Sequence, residues 1–316
     1  MVKFLRKPGP VPNPARSSMV VRIPEIKAMK IAAHIGVKDE AELIERCIGH
    51  LRRIGVSQFI VCDMGSTDGT AGILERQRSD DFHIIMLSNR EADAEWLRRN
   101  ETAIRDIDAD WLLFLDADEF PLPAAGSLHG ILAGTAADLL SVPRYNVAIG
   151  PNGPYLPTEL GPERYGEVEL IVEAVADFRR SLAKDPDIPW IRAVPAPKIA
   201  VRPKAIGRLL QGVHDIVPAG PITRAPAQGL LIAHLALSTP ERFRRKIDNI
   251  REFFAHHDAY AGPDIAWHWR RWAGLADRGE IDGEFARSVF SVQFLDALRR
   301  DGIVRSAAEM LRGAAP

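Results

Sequence analysis

From Lys30 to Leu115 short apolar runs alternate with amphipathic stretches. Lys30 to Ile35 predicts a strand. Leu43, Ile44, Cys47, Ile48, Leu51 and Ile54 recur three and four residues apart, which makes one apolar stripe on a helix that Gly55 stops. Gln58 to Cys62 predicts a second strand. A loop with Gly65 and Gly69 leads into a helix through Ile73 and Leu74. His83 to Leu87 predicts a third strand, Ala92 to Ile107 a helix, and Trp111 to Leu115 a fourth strand, apolar throughout as a buried parallel strand is. The order βαβαβαβ predicts an α/β fold with a mostly parallel, Rossmann-like sheet flanked by helices on both faces.

The pattern then changes. From Ser141 to Arg208 proline and glycine interrupt the periodicity, leaving short strands at Lys198 to Arg202 and Leu230 to Leu237. Ser238 and Glu241 have capping-box spacing, and Phe243, Ile247, Ile250 and Phe254 follow at helical spacing. Further helices are predicted at Asp264 to Ala276 and Glu284 to Arg300. Residues 1–27, with prolines at 8, 10, 12, 14 and 24, read as an extended leader. The division expected is leader 1–27, an α/β domain 28–237 split into a donor half 28–123 and an acceptor and metal half 124–237, and a helical region 238–316.

Composition narrows the function. Of 316 residues 26% are charged, and the formal net charge of −1 offers no overall field for nucleic acid. No apolar run approaches the roughly 20 residues of a membrane span, so a cytoplasmic location is expected. Cys47 and Cys62 read as buried free thiols in a reducing compartment.

The acidic residues fall at strand ends. Asp39 and Glu40 follow the first strand, Asp63 ends the second, and Asp116, Asp118 and Glu119 end the fourth. In a parallel sheet these ends share one edge, outside which ligands bind. Asp116-Ala117-Asp118-Glu119 puts three carboxylates in four residues, and their repulsion calls for a compensating cation. Hard oxygen ligands suit Mg2+ or Mn2+. The bland alternative is a solvated acidic turn. Asp63 to Thr70, with Gly65 and Gly69, allows close backbone approach, and Ser66, Thr67 and Asp68 can cap the next helix. The alternatives are an ordinary strand-to-helix turn or a methyltransferase cofactor loop.

Lys38-Asp39-Glu40, Asp63 to Thr70, Arg99-Asn100 and Trp111 to Phe120 together resemble the GT-A glycosyltransferases of the family-2 type, most closely a bacterial subgroup with a D-x-D-E-F element. A looser likeness extends over Lys198 to Pro203, Gly212 to His214 and Ile232 to Lys246. The resemblance implies a nucleotide-sugar donor, a UDP-sugar favoured, a glycan or lipid-linked acceptor, and inversion at the anomeric carbon. It implies that Asp39, Glu40 and Asp63 face the nucleoside, that Ser66 belongs to the donor loop and Asp68 orders it, and that Arg99 and Asn100 lie near the sugar or diphosphate. Asp116 and Asp118 would hold donor and metal, with His214 first and His234 second as the histidine completing the metal shell. At Asp39 the subgroup usually carries asparagine.

An inverting transfer needs a base for the acceptor hydroxyl. Glu119 and Asp215 rank level for that role, with Glu159 and Glu163 behind. His34 reads as structural. The run Trp267 to Trp272 reads as helix packing, with stacking on an acceptor sugar as the alternative. The basic run Arg242, Arg244, Arg245 and Lys246 reads as a solvated face, with contact to a diphosphate or to an anionic membrane as the alternatives. Two rival functions remain: a non-catalytic nucleotide- or carbohydrate-binding protein on the same scaffold, and a methyltransferase, which leaves Asp116 and Asp118 unexplained.

Overall fold

The computed structural model describes residues 29–88, 90, 93–173, 175, 177–257 and 266–313. The leader 1–27, Ala92 and Asp264 lie outside the described residues. The first half follows the predicted alternation: β1 (Ile31–Val37), α1 (Ile44–Arg53), β2 (Gln58–Asp63), α2 (Thr70–Gln77), β3 (Phe82–Met86), α3 (Asp93–Asp106) and β4 (Trp111–Asp116). Then come β5 (Glu119–Pro123), α4 (Leu128–Ala133), β6 (Leu139–Val142), β7 (Arg144–Asn146), α5 (Phe178–Lys184) and the long α6 (Pro240–His256).

Seven strands form the central sheet in the order Arg224–Pro226, β6, Lys198–Val201, β4, β1, β2, β3. All neighbours pair parallel except Lys198–Val201, which runs against both β4 and β6. Period-two alternation divides β1 between the two sides. Ile31, Ala33 and Ile35 join the cluster under α1, and Ala32 joins Ile60, Leu112 and Phe114 on the opposite face. Both cysteines are buried and free, as expected.

A second sheet of β5, Leu230–His234 and β7 carries the chain past the end of the first. Its register sets His234 opposite both Glu119 on β5 and Asn146 on β7. A third apolar cluster joins Ile149, Trp190 and Ile191 to the C-terminal helices through Phe243, Ile247, Trp272 and Leu295.

Helix boundaries differ from expectation in two places. Thr239, not Ser238, caps α6: its hydroxyl accepts from the Arg242 amide at 3.1 Å, and Pro240 fills the first helical position, where no amide is needed. The stretch Glu284 to Arg300 is two helices, Ile281–Arg287 and Val292–Arg300, because Ser291 adopts an extended conformation and caps the second. No helix of the described residues is long and apolar enough to cross a membrane.

His34 is structural. Its Nε2 meets Asn100 Oδ1 at 2.6 Å inside the core, and Asn100 Nδ2 donates to the Trp96 carbonyl at 2.7 Å and to Cys62 Sγ at 3.7 Å. Asn100 is fully buried, so it pins α3 to the sheet and is not positioned to meet a sugar or a diphosphate. Arg99, beside it, is half-buried. Asn100→Ala should therefore cost about 1–3 kcal/mol, the usual penalty for orphaning a buried polar partner, in urea unfolding. Nucleotide affinity of the folded variant should stay unchanged in calorimetry.

Candidate functional site

Parallel pairing brings the acidic strand ends together. Val37 sits opposite Asp63, and Gly36 opposite Asp116. The loops beyond β1 and β2 interlock. Asp39, in the left-handed region at φ 53°, donates its amide to Ser66 Oγ at 2.8 Å and accepts from the Thr67 and Asp68 amides through Oδ1. Ser66 gives its amide and hydroxyl to Asp63 Oδ1 at 2.8 and 2.7 Å. Asp68 accepts from the Ala41 amide at 3.0 Å and from the Thr70 hydroxyl at 2.6 Å. Asp39, Ser66 and Asp68 thus spend most of their bonding on each other. Asp63 keeps one buried oxygen, Oδ2, without a partner among the described residues, the kind of orphan that asks for a ligand or water.

Glu40 departs from its expected place beside the nucleoside. Its two oxygens take a fork of bonds from Arg242, Nε to Oε2 at 2.6 Å and Nη2 to Oε1 at 2.7 Å. Arg242 Nη2 also donates to Asp118 Oδ2 at 2.8 Å, and Nη1 to the Leu235 carbonyl at 3.0 Å. Lys246, one turn along α6, reaches the same Asp118 oxygen at 3.1 Å. Burial alone would lift the Asp118 carboxyl. Lys246 and Arg242 more than reverse that and hold it well below the usual carboxylate range.

Asp116 and Glu119 have their own cations. Lys198, 1% exposed at the start of the reversed strand, donates to Asp116 Oδ2 at 2.8 Å and lies 3.7 Å from Glu119 Oε2. Arg144 on β7 binds Glu119 Oε1 and lies 4.0 Å from Asp116. Glu119 Oε2 accepts the Asp116 amide at 2.9 Å. Desolvation works against ionising Asp116, yet Lys198 outweighs it and lowers that carboxyl. Glu119 is fully buried, and burial lifts it to about 7 despite Lys198 and Arg144. Four carboxylates, Asp116, Asp118, Glu119 and Glu40, so meet four protein cations, Lys198, Arg144, Arg242 and Lys246. Part of the compensation that the acidic cluster calls for is thus supplied by the chain's own lysines and arginines.

A narrower feature does point to a cation. Asn146 Nδ2 donates to the carbonyls of Ile191 and Ala193 at 2.8 and 3.0 Å, so the amide can point only one way. Its Oδ1 then faces His234 Nδ1 at 2.8 Å, and that nitrogen must carry the hydrogen. Nε2 is left with a lone pair, 3.7 Å from Asp118 Oδ1. Two lone pairs at that spacing repel unless a cation lies between them or the imidazole takes a proton. Burial, reinforced by Arg144, opposes the proton and holds His234 well below the usual histidine range. Asp118, Glu119 and His234 each offer an atom within 4.8 Å of the others. With Glu119 taken by Arg144 and the Asp116 amide, Asp118 Oδ1 and His234 Nε2 are the atoms left to hold an ion. The outer partner that fixes the His234 tautomer is what metal-binding histidines ordinarily have.

The first-ranked histidine stands beside this group, not in it, near enough to Lys198, Arg144 and Asp116 to feel their charge. His214 donates Nδ1 to the Pro197 carbonyl at 2.8 Å and stays outside the Asp118–Glu119–His234 group. Asp215 points away too, since its Oδ1 accepts from the Ile216 amide at 2.8 Å and from Arg224 at 2.7 Å on the surface. Against slight desolvation, Arg224 lowers its carboxyl, which is the wrong direction for a base at neutral pH. Glu159 and Glu163 are exposed.

The basic run on α6 is a solvated face only in part. Arg242 is 1% exposed, Arg244 is paired with Asp282, and Arg245 is paired with Glu42. With each of the four spent on an acid, the run offers little to a membrane. Trp272 packs on Trp190 and Phe243 at ring distances of 4.6 and 5.1 Å, as the packing reading expects. Sequence reasoning missed Arg144 and Asn146, gave Lys198 no role, and offered Arg242 a diphosphate contact only as the alternative to a solvated face. One local signal existed: Arg242 is a cation in the first turn of a helix, against the helix dipole, and so needs acidic partners from elsewhere.

The chain is structurally similar to several solved proteins, all at low scores. Staphylococcus aureus TarS gives a TM-score of 0.28 at 16% identity, over 41% of this chain and 23% of that one. TarS 1-349 in complex with UDP gives 0.33 at 12%, over 72% and 65%. Glucosyl-3-phosphoglycerate synthase from Mycobacterium tuberculosis, in complex with Mn2+, UDP and glucosyl-3-phosphoglycerate, gives 0.35 at 15%, over 73% and 79%. The chain thus spans less than two thirds of the first two. No curated protein sequence matches it. Residues 33–164, the segment that carries the acidic strand ends at Asp39, Asp63, Asp116 and Asp118, match the model of glycosyl transferase family 2.

Proposed function

We propose that the protein transfers a sugar from a nucleoside diphosphate to a hydroxyl of a glycan acceptor, free or lipid-linked, with a divalent ion, Mn2+ or Mg2+, held by Asp118 and His234. The observation that carries this reading is the His234 lone pair aimed at Asp118 Oδ1, a residue of the segment that matches glycosyl transferase family 2. One or two protein ligands suit a divalent ion that takes its remaining ligands from phosphate and water. Bound there, the ion would supply Lewis-acid stabilisation of charge on the leaving diphosphate. The chain does the rest. Asp63, with its unpartnered Oδ2, is the acceptor of hydrogen bonds from the nucleoside, and Asp39, Ser66 and Asp68 hold the loop that presents it. Asp116 stands half-exposed at the mouth of the cluster, on the donor side. Of the two candidate bases Glu119 is favoured. It remains at the cluster with its carboxyl near 7, close to the working range of a base, although an acceptor must first displace Arg144 from Oε1.

Thermal unfolding with UDP, GDP and CDP, with and without Mn2+, tests the donor site, since a ligand of the folded state raises the Tm by linkage. One nucleotide should raise it, and more so with Mn2+. Asp118→Asn and His234→Ala should keep their fold and lose the Mn2+ increment. A shift with S-adenosylmethionine alone would favour the methyltransferase. Nucleotide binding without sugar turnover, with acceptor supplied, would favour the non-catalytic reading.

Glu119 gives a pH signature in the metal-free protein. Between 4.5, its ordinary value, and about 7, the folded chain keeps a proton that the unfolded chain has released. Stability contributed by this group therefore falls as pH rises across that window. Urea unfolding at a series of pH values should show the difference between wild type and Glu119→Gln shrinking or reversing from pH 5 to 8. A flat difference would mean that Glu119 is already ionised at pH 5.

A further inference from the structure

We infer that the ligand of this site is a divalent ion already joined to a diphosphate, not the bare ion, and that Lys246 and Arg242 impose this choice. The inference rests on the reading of Asp118 and His234 as metal ligands. Both cations sit on α6, beyond the family-2 segment 33–164.

Each of the four carboxylates faces at least one cation before any ligand arrives. A bare divalent ion entering beside Asp118 meets a carboxylate whose other oxygen already carries both Arg242 and Lys246, at 2.8 and 3.1 Å. Repulsion from these two cations offsets the attraction of the single carboxylate, and a partly dehydrated ion gains little. A diphosphate reverses the balance, because its negative charge attracts both the ion and the nearby ammonium.

The two cations differ in freedom. Arg242 is fixed: its side chain is 2% exposed, forked onto Glu40 and bonded to the Leu235 carbonyl. Among the described residues Lys246 hydrogen-bonds to Asp118 alone, and its side chain is 27% exposed. Its flexible stem and rotatable donors allow it to turn from Asp118 to a phosphate oxygen. That movement frees carboxylate charge for the ion at the moment the diphosphate arrives. Arg242 meanwhile keeps Oδ2 occupied, so that Oδ1 alone is offered beside His234.

Mn2+ binding, followed by the loss of the free-ion electron paramagnetic resonance signal, tests this with wild type, Lys246→Met, Lys246→Arg and Asp118→Asn. Each is measured alone, with UDP and with inorganic pyrophosphate. Wild type should bind bare Mn2+ weakly and bind it ~100-fold or more tightly with UDP or pyrophosphate. Lys246→Met should bind bare Mn2+ ~10-fold or more tightly than wild type, and should bind UDP less well at fixed Mn2+. Lys246→Arg, which keeps the charge, should behave as wild type towards the bare ion, and Asp118→Asn should lose all tight binding. A bare-ion affinity unchanged in Lys246→Met overturns the inference, as does equal Mn2+ affinity with and without diphosphate. If wild type binds no Mn2+ even with UDP or pyrophosphate, the metal-dependent transferase reading falls, and this inference with it. The two failures are told apart by the wild-type arm alone.

Discussion

One guanidinium ties the molecule together. Arg242 reaches from the first turn of α6 into the end of the central sheet, where it holds Glu40 after β1 and Asp118 after β4. A buried ion network of this kind adds little net stability, because desolvating each charge costs about as much as the pairing returns. Breaking one partner is different, since it strands the others in a medium that cannot solvate them. The arrangement is therefore strict without being especially stabilising. Glu40 and Asp118 keep their shared guanidinium only while α6 is docked, and α6 docks through Phe243, Ile247 and Ile250 in the third apolar cluster. A C-terminal helix that shares no strand with the sheet is thereby made part of its working edge.

The remaining order of the site follows from strand pairing. Parallel register alone sets Asp63 and Asp116 on either side of the end of β1. The second sheet then delivers His234 between Glu119 and Asn146, since Leu230–His234 pairs with β5 on one side and β7 on the other. Asn146 fixes the imidazole and Asp118 faces it. The left-handed backbone at Asp39 fits the same scheme: the turn aims its carboxylate back at the Thr67 and Asp68 amides, so two loops far apart in sequence are held as one surface. This also accounts for an aspartate at a position where the resembling subgroup has asparagine, because an ionised oxygen accepts from backbone amides more strongly than a neutral one.

The acidic edge was legible because its signals are local. The apolar run Trp111 to Leu115 can be read as a buried strand, its acidic sequel as a strand tip, and Gly65 with Gly69 as a turn, all from neighbouring residues. What was not legible depends on contacts across great sequence separation. Lys198 meets Asp116 across 82 residues and Arg242 meets Glu40 across 202, and no periodicity records such a pairing. Asn100 was misassigned for the related reason that an amide on the inner face of a helix looks the same in sequence whether it serves a ligand or a core histidine. Both His214 and His234 have Nδ1 engaged, and the choice between them turned on which Nε2 faces a carboxylate, as that of His234 does across 3.7 Å to Asp118. Apolar neighbours made His234 look like a core residue, which it is, and burial is also what keeps its Nε2 lone pair unprotonated and available.

The acidic cluster shows that one demand for compensation can be met by more than one agent. Three carboxylates in four residues do need compensation, and the chain provides it with lysine and arginine from β7, the reversed strand and α6. What remains for a metal is then a matter of a single lone pair, not of net charge. That distinction alters the chemistry. A site with uncompensated acids takes up any divalent ion and holds it between turnovers. A compensated site with one directed nitrogen and one free carboxylate oxygen favours an ion that brings its own negative charge, which is the form in which a nucleoside diphosphate presents it.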